Sequence, residues 1–105
     1  MASTPEGRVK KEIKGWLSEL PKCWFYMPVQ NGMGTVGIPD IVGCVDGKFF
    51  AIECKAPGKE NTVTPNQRHQ IGGICAAYGC AFVASDLNMV KMQFMLSGLL
   101  ERAQV

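Results

Sequence analysis

The chain has 105 residues, of which 47% are apolar, and its net charge at pH 7 is only +2. This length and composition allow one compact core, so we expect a single domain over residues 1–105. We find neither an apolar stretch long enough to span a bilayer nor a signal peptide, so we expect a soluble, cytoplasmic protein. The small net charge excludes a non-specific nucleic-acid coat and leaves room only for a local basic surface.

The first predicted helix begins at Thr4, a suitable N-cap, because Pro5 fits the first helical position. It is expected to end near Leu20. On a helical wheel Glu6 falls within the apolar stripe, whereas Glu12 lies to one side of it, so Glu6 is the acid expected to point inward. The stripe consists of Val9, Ile13, Trp16, Leu17 and Leu20.

Three predicted strands follow this helix. The first, over residues 24–29, leads into a loop over residues 30–37, whose glycines would let a phosphate approach the backbone. The next two, over residues 41–45 and 48–55, are apolar and β-branched, and Asp46-Gly47 lies between them. This dipeptide favours a type I′ turn, in which both central residues have positive φ, and therefore predicts a tight antiparallel hairpin.

The turn also fixes which residues oppose one another. Counting outward from it, Asp40 comes to lie opposite Glu53, and Lys55 follows two residues later on the same face. Two facing carboxylates destabilise a sheet unless a cation compensates them, and Mg²⁺ or Mn²⁺ prefers such oxygen ligands. A lysine beside the ion can orient or deprotonate water, or stabilise phosphate charge. The pattern indicates a metal-dependent nuclease site, the alternative being a turn aspartate and a solvent-facing strand pair.

The second predicted helix begins at Thr64-Pro65, and Gln67 stands where a capping box places its glutamine. Capping alone would account for this glutamine. Gln67 is also in phase with the apolar residues of the helix, so it should lean toward the sheet end that carries Lys55. The apolar residues expected to pack on the sheet are Ile71, Ile74 and Tyr78.

Beyond this helix, Gly79 is expected to form its C-cap, and residues 80–84 a short buried strand. Asp86 or Asn88 can cap a last helix that is more apolar than so small a core can use. The surplus apolar surface predicts a subunit interface, and hence a homodimer. The five cysteines lack a C-x-x-C pair and are expected to be buried, reduced thiols: Cys23, Cys44, Cys54, Cys75 and Cys80.

Around the hairpin the sequence resembles the VRR-NUC family of the PD-(D/E)xK nucleases. The resemblance extends over residues 5–84, and three segments carry it: Pro-Val-Gln-Asn-Gly at 28–32, Gly-Ile-Pro-Asp-Ile at 37–41 and Phe-Ala-Ile-Glu-Cys-Lys-Ala-Pro-Gly at 50–58. It implies an α/β, restriction-endonuclease-like αβββαβ core with a mixed central sheet flanked by helices. It also implies an endonuclease that depends on Mg²⁺ or Mn²⁺ and cuts branched DNA such as Holliday junctions.

The resemblance assigns roles to five residues of this chain. Asp40 and Glu53 would be metal ligands, Lys55 the catalytic lysine, Glu6 a further or water-mediated ligand, and Gln67 an orienting residue. For Glu6 the alternative is a first-turn acid that interacts only with the helix dipole. A different class of function also remains open, namely a nucleic-acid-binding module without catalysis, and the residues do not distinguish DNA from RNA.

Several basic residues are candidates for contacts with phosphates. They neutralise backbone charge without reading bases, although a solvated helix face is the ordinary alternative. The candidates are Lys10, Lys11 and Lys14 on or beside the outward side of the first helix, Lys59 in the loop after the hairpin, and Arg68 in the second helix.

Overall fold

The structure is a computed structural model that describes residues 4–29 and 34–105. Its elements follow the predicted order of helix, three strands, helix, strand and helix. Their bounds are α1 (Pro5–Glu19), β1 (Cys23–Tyr26), β2 (Ile41–Val45), β3 (Lys48–Cys54), α2 (Pro65–Ala76), β4 (Cys80–Ala84) and α3 (Leu87–Leu96). Within the described ranges, no helix combines the length and the apolar character needed to cross a membrane.

The four strands form one mixed sheet in the order β1-β2-β3-β4. The first three strands run antiparallel, whereas β3 and β4 are parallel and are therefore joined by a crossover that contains α2. The prediction of an α/β fold with a mixed central sheet flanked by helices is confirmed.

The core lies between one face of the sheet and the helices α1 and α3. Its largest fully buried side chains include Phe50, Phe94, Ile13, Leu17, Ile41 and Ile52. The helix α2 contributes no fully buried residue and packs against β4 on the other face. Glu53 and Lys55 belong to that second face because they alternate along β3 with the core residues Ile52 and Cys54.

The hairpin turn has the geometry that its sequence predicts. Asp46 has φ 51° and Gly47 has φ 80°, so both central residues occupy the left-handed region. The register is also as predicted, from Val45 opposite Lys48 to Ile41 opposite Ile52. The ladder ends at this pair, and Asp40 and Glu53 are the next residues along their two chain segments.

The first strand is shorter than predicted. It spans Cys23–Tyr26 rather than residues 24–29, because it pairs only with residues 42–45 of β2. Pro28 has no N–H group to extend the ladder. The strand β3 likewise ends at Cys54, one residue before the predicted end. Residues 30–33 of the predicted approach loop lie outside the described part of the chain.

The end of α2 differs from the prediction. The C-cap is Ala77, so the prediction that Gly79 is the C-cap was wrong. Tyr78 has a positive φ of 67° and is 99% exposed, so the prediction that it packs on the sheet was also wrong. The Gly79 amide donates to the Ile74 carbonyl at 2.9 Å and the Tyr78 amide to Cys75 at 3.0 Å. These bonds form a Schellman motif in which Tyr78 takes the left-handed position.

All five cysteines are free, but they are not all buried. Cys54 is buried in the core, and Cys23 and Cys80 are half-buried. Cys44 and Cys75 are exposed, so the prediction of burial was wrong for these two. Cys44 alternates with core residues of β2 and therefore points to the sheet face that α1 and α3 do not cover.

Gly37 holds the segment before Asp40 against the beginning of α2. Its φ is +83°, and a Cβ atom there would lie far too close to the Asn66 carbonyl and 2.8 Å from the Gln67 amide nitrogen. A residue with a side chain would therefore be strained by its backbone conformation and would also push the helix away. Gly37 thus fixes the distance between the loop that carries Asp40 and the helix that carries Gln67.

We expect Gly37→Ala to lower the free energy of unfolding by at least about 1–2 kcal/mol, the cost of a left-handed residue with a side chain. Urea denaturation measures this loss. Gly34→Ala is the matched control, since among the described residues no atom lies within 4 Å of the place its Cβ would take. Equal losses in the two variants would contradict the proposed contact.

Candidate active site

Asp40 and Glu53 lie side by side at the end of the hairpin away from the turn. The Cys54 amide donates a hydrogen bond to Asp40 Oδ2 at 2.8 Å, which fixes Asp40 against β3. Glu53 is only 3% exposed, and the Asp40 side chain 17%. The two carboxyl groups lie within hydrogen-bonding reach of each other. The structure therefore brings together the two acids that the register predicts as neighbours.

The electrostatics of this pair are dominated by burial. Burial disfavours the charged form of Glu53, the neighbouring Asp40 carboxylate adds repulsion and a hydrogen bond, and together they raise the pKa of Glu53 to about 8. Lys55 opposes this shift, and Glu6 adds weakly to it. Burial and the charge of Asp40 also raise the pKa of the Cys54 thiol to about 12, so this thiol stays protonated.

Lys55 and Gln67 complete one side of the site. The Lys55 ammonium lies 3.7 Å from Glu53 Oε2 and donates to Gln67 Oε1 at 3.0 Å. The Gln67 amide nitrogen donates to Glu53 Oε2 at 3.2 Å. Because Lys55 is only 8% exposed, these contacts hold its ammonium in one place.

Gln67 reaches this position because it also caps α2. Its Oε1 accepts a hydrogen bond from the Thr64 amide at 3.0 Å, and Thr64 Oγ1 accepts one from the Gln67 amide at 3.1 Å. These two bonds form the predicted capping box. The capping and site-facing interpretations of Gln67 are thus compatible, since one oxygen serves both the helix start and Lys55.

Lys10 and Glu6 lie on the other side of the carboxylate pair. The Lys10 ammonium is 3.2 Å from Glu6 Oε2 and 3.5 Å from Asp40 Oδ1. Burial works against the charge of Lys10, but Asp40 and Glu6 outweigh it and raise the pKa of Lys10 above its usual value. The prediction that Lys10 points outward was wrong, whereas Glu6 does face the site, through Lys10.

The sequence contains a signal for the position of Lys10. Residues four apart share one helix face, so an inward Glu6 requires an inward Lys10. The remaining basic candidates Lys11, Lys14, Lys59 and Arg68 are exposed. Their contacts with nucleic acid stay predictions.

The donor set can hold a hard divalent cation. Asp40 and Glu53 offer carboxylate oxygens on one side of the sheet, and Mg²⁺ is commonly held by one or two protein carboxylates. Over residues 4–29 and 34–105 there is no group of three or more histidine, cysteine, aspartate or glutamate side chains placed to bind one metal ion. The structure thus fits a site with two protein ligands, and the role of Glu6 as a third stays a prediction.

Comparison with known proteins identifies the fold. The structure is similar to a solved structure described as a VRR_NUC domain protein, with a TM-score of 0.67, 18% sequence identity, and coverage of 92% of this chain and 93% of that chain. No model of a protein family matches the sequence, and no curated protein matches it. The similarity confirms the nuclease-like fold that the sequence resemblance implied.

We expect Glu53→Gln to change how stability depends on pH in the absence of metal. Glu53 in the folded protein keeps its proton up to about pH 8, whereas the ordinary value is 4.5. The unaltered protein should therefore lose stability as pH rises from the lower value through the higher one. One pKa unit corresponds to about 1.4 kcal/mol, so the loss is of the order of a few kcal/mol. Glutamine does not titrate and avoids this loss.

Urea unfolding in EDTA between about pH 5 and pH 9 measures this difference. Glu12→Gln is the control, because Glu12 is an exposed acid on α1. The stability of Glu53→Gln should exceed that of both other proteins at high pH and approach theirs at low pH. If the stability of all three proteins depends on pH in the same way, the pKa of Glu53 is not raised in the folded protein.

Proposed function

We propose that this protein is a metal-dependent DNA endonuclease that hydrolyses phosphodiester bonds. The observation that carries the proposal is the close grouping of Asp40, Glu53 and Lys55 at the end of the hairpin away from the turn. A protein that only binds nucleic acid gains nothing from two neighbouring buried acids, because charging both of them without a cation is costly. A nuclease uses them to hold Mg²⁺ or Mn²⁺. The nuclease-like fold supports the proposal independently of these side chains.

The residues of the chain take distinct roles in this reaction. Asp40 and Glu53 hold the divalent cation, which when bound acidifies water and neutralises phosphate charge. Lys55 is fixed by Gln67 and Glu53, so its ammonium can orient the attacking water or stabilise charge that develops on the phosphate. Gln67 accepts a hydrogen bond from Lys55 and donates one to Glu53, so it fixes these two side chains relative to each other. Its amide group also ties this arrangement to the beginning of α2.

Exposed basic residues would position the substrate. Lys11 and Lys14 lie on α1, and Lys59 and Arg68 lie near the beginning of α2, so exposed positive charge occurs on two elements that border the site. Such residues neutralise phosphates and fix the register of the nucleic acid without reading its sequence. We propose branched or junction DNA as the preferred substrate on the basis of the resemblance to VRR-NUC proteins.

We expect Lys55→Ala, Asp40→Asn and Glu53→Gln each to lower the cleavage rate by about a hundredfold or more, because each removes a group that acts on the transition state. Cleavage of supercoiled plasmid with Mg²⁺, Mn²⁺ or EDTA measures this, and EDTA should abolish it. Lys48→Ala is the control, since Lys48 is exposed beside the turn at the opposite end of the hairpin.

Fluorescence anisotropy with labelled DNA separates catalysis from binding, because Lys55→Ala should bind DNA while failing to cut it. Junction, flap, splayed-arm and plain duplex DNA, together with duplex RNA, test the preferred substrate. Binding without cutting of any of these by the unaltered protein would favour a nucleic-acid-binding module instead.

We also propose that the protein forms a homodimer through α3. Val90 and Phe94 are buried in the core, whereas Met89, Met92 and Leu96 remain exposed on the same helix, Leu96 to 71%. A contiguous apolar surface of this kind is typical of subunit contacts. Two copies related by symmetry would present two sites to two DNA strands.

We expect Leu96→Glu to convert the dimer to a monomer, because it places a charge in the apolar contact. Light scattering after gel filtration should give twice the chain mass of 11.4 kDa for the unaltered protein. Gln93→Glu is the control, since Gln93 is an exposed polar residue of the same helix. A monomeric unaltered protein would contradict the proposed dimer without affecting the proposed chemistry.

A further inference from the structure

Lys10 lies beside an oxygen that the proposed metal ion would use. Its ammonium is 3.5 Å from Asp40 Oδ1, an oxygen of one of the two proposed metal ligands. The Lys10 side chain is 29% exposed and that of Asp40 is 17% exposed, so water screens the pair only partly. A divalent cation on Asp40 would therefore meet a like charge from Lys10.

Lys10 also has a second carboxylate within reach. Glu6 lies one helical turn earlier and its Oε2 is 3.2 Å from the ammonium, closer than the Asp40 oxygen. The Glu6 side chain is 42% exposed, so it lies nearer to solvent than the carboxylate pair. Lys10 can therefore give up Asp40 and keep an ion pair with Glu6.

We propose that Lys10 is a displaceable internal cation, which neutralises Asp40 in the metal-free protein and gives way to the divalent cation by withdrawing toward Glu6. This inference rests on the proposed metal dependence and adds a residue that sets metal affinity. The ammonium neutralises the Asp40 carboxylate while no metal is bound. The affinity of the site for the metal ion is lower with Lys10 present, because the metal has to break the Lys10–Asp40 ion pair before it can bind.

Glu6 then acts through Lys10 and not as a metal ligand. It provides the carboxylate to which the ammonium withdraws, and it stands outside any group of three ligands in the described ranges. The two roles of Glu6 have different consequences in a protein that lacks Lys10. An ion-pair partner becomes irrelevant there, whereas a ligand remains necessary.

The test is calorimetric titration of the protein with Mg²⁺ and Mn²⁺ in the absence of DNA. We expect Lys10→Met to bind the metal about tenfold more tightly than the unaltered protein, because one competing charge is removed. Lys48→Met removes one positive charge from an exposed position at the far end of the hairpin and should leave the affinity within about twofold. Equal or weaker binding by Lys10→Met would overturn the inference.

Thermal unfolding with and without Mg²⁺ provides a second measurement. The rise in Tm caused by metal should be larger in Lys10→Met than in the unaltered protein, since the variant lacks the internal cation when metal-free and binds metal more tightly. Lys10→Gln serves the same purpose if Lys10→Met does not fold. A smaller or equal rise in the folded variant would overturn the inference.

Adding Glu6→Gln to Lys10→Met distinguishes the two roles of Glu6. We expect the double variant to bind metal as tightly as Lys10→Met alone, and a drop in affinity would overturn the indirect role. If the unaltered protein binds metal and Lys10→Met binds it with the same affinity, only the role of Lys10 as a displaceable cation is refuted. A lack of metal binding by all variants would refute the proposed metal-dependent function as well.

Discussion

The burial of two neighbouring carboxyl groups organises one end of the sheet. Asp40 and Glu53 lie side by side with little solvent, and each is engaged by neighbouring donors: the Cys54 amide and Lys10 on Asp40, Gln67 and Lys55 on Glu53. Burying a charge without such partners would destabilise the folded protein by roughly several kcal/mol. The surrounding helices α1 and α2 each supply one of these partners, so the packing of both helices and the chemistry of the site depend on the same pair.

The geometry of the pair is set by a turn at the far end of the hairpin. Asp46 and Gly47 take the left-handed conformation that fixes the register of β2 and β3. A slip of one residue would move Asp40 to the core face, because side chains alternate along a strand. The capping box acts in the same way for α2, since it fixes the residue that bridges Lys55 and Glu53. Two short local signals therefore determine the positions of residues that are distant in sequence.

The range over which each feature is determined explains which features the sequence could predict. The hairpin register and the capping box of Thr64 and Gln67 follow from rules that involve a few adjacent residues, and both were confirmed. The length of β1 was not predictable in this way, because it depends on which residues of β2 pair with it. Neither was Tyr78, whose exposure follows from the Schellman ending of α2. The inward position of Lys10 required combining its spacing from Glu6 with the place of α1 beside Asp40.

The two lysines that flank the carboxyl groups differ in their exposure and in their partners. Lys55 is 8% exposed and contacts both Gln67 and Glu53, so its side chain is held at the site. Lys10 extends from α1 between two carboxylates, with a more exposed partner one turn away. A fixed ammonium can act on a substrate at a constant position. A displaceable ammonium, as proposed for Lys10, neutralises a carboxylate until a divalent cation replaces it. The same residue type, placed on a strand in one case and on a helix in the other, therefore supports two different physical roles around one pair of acids.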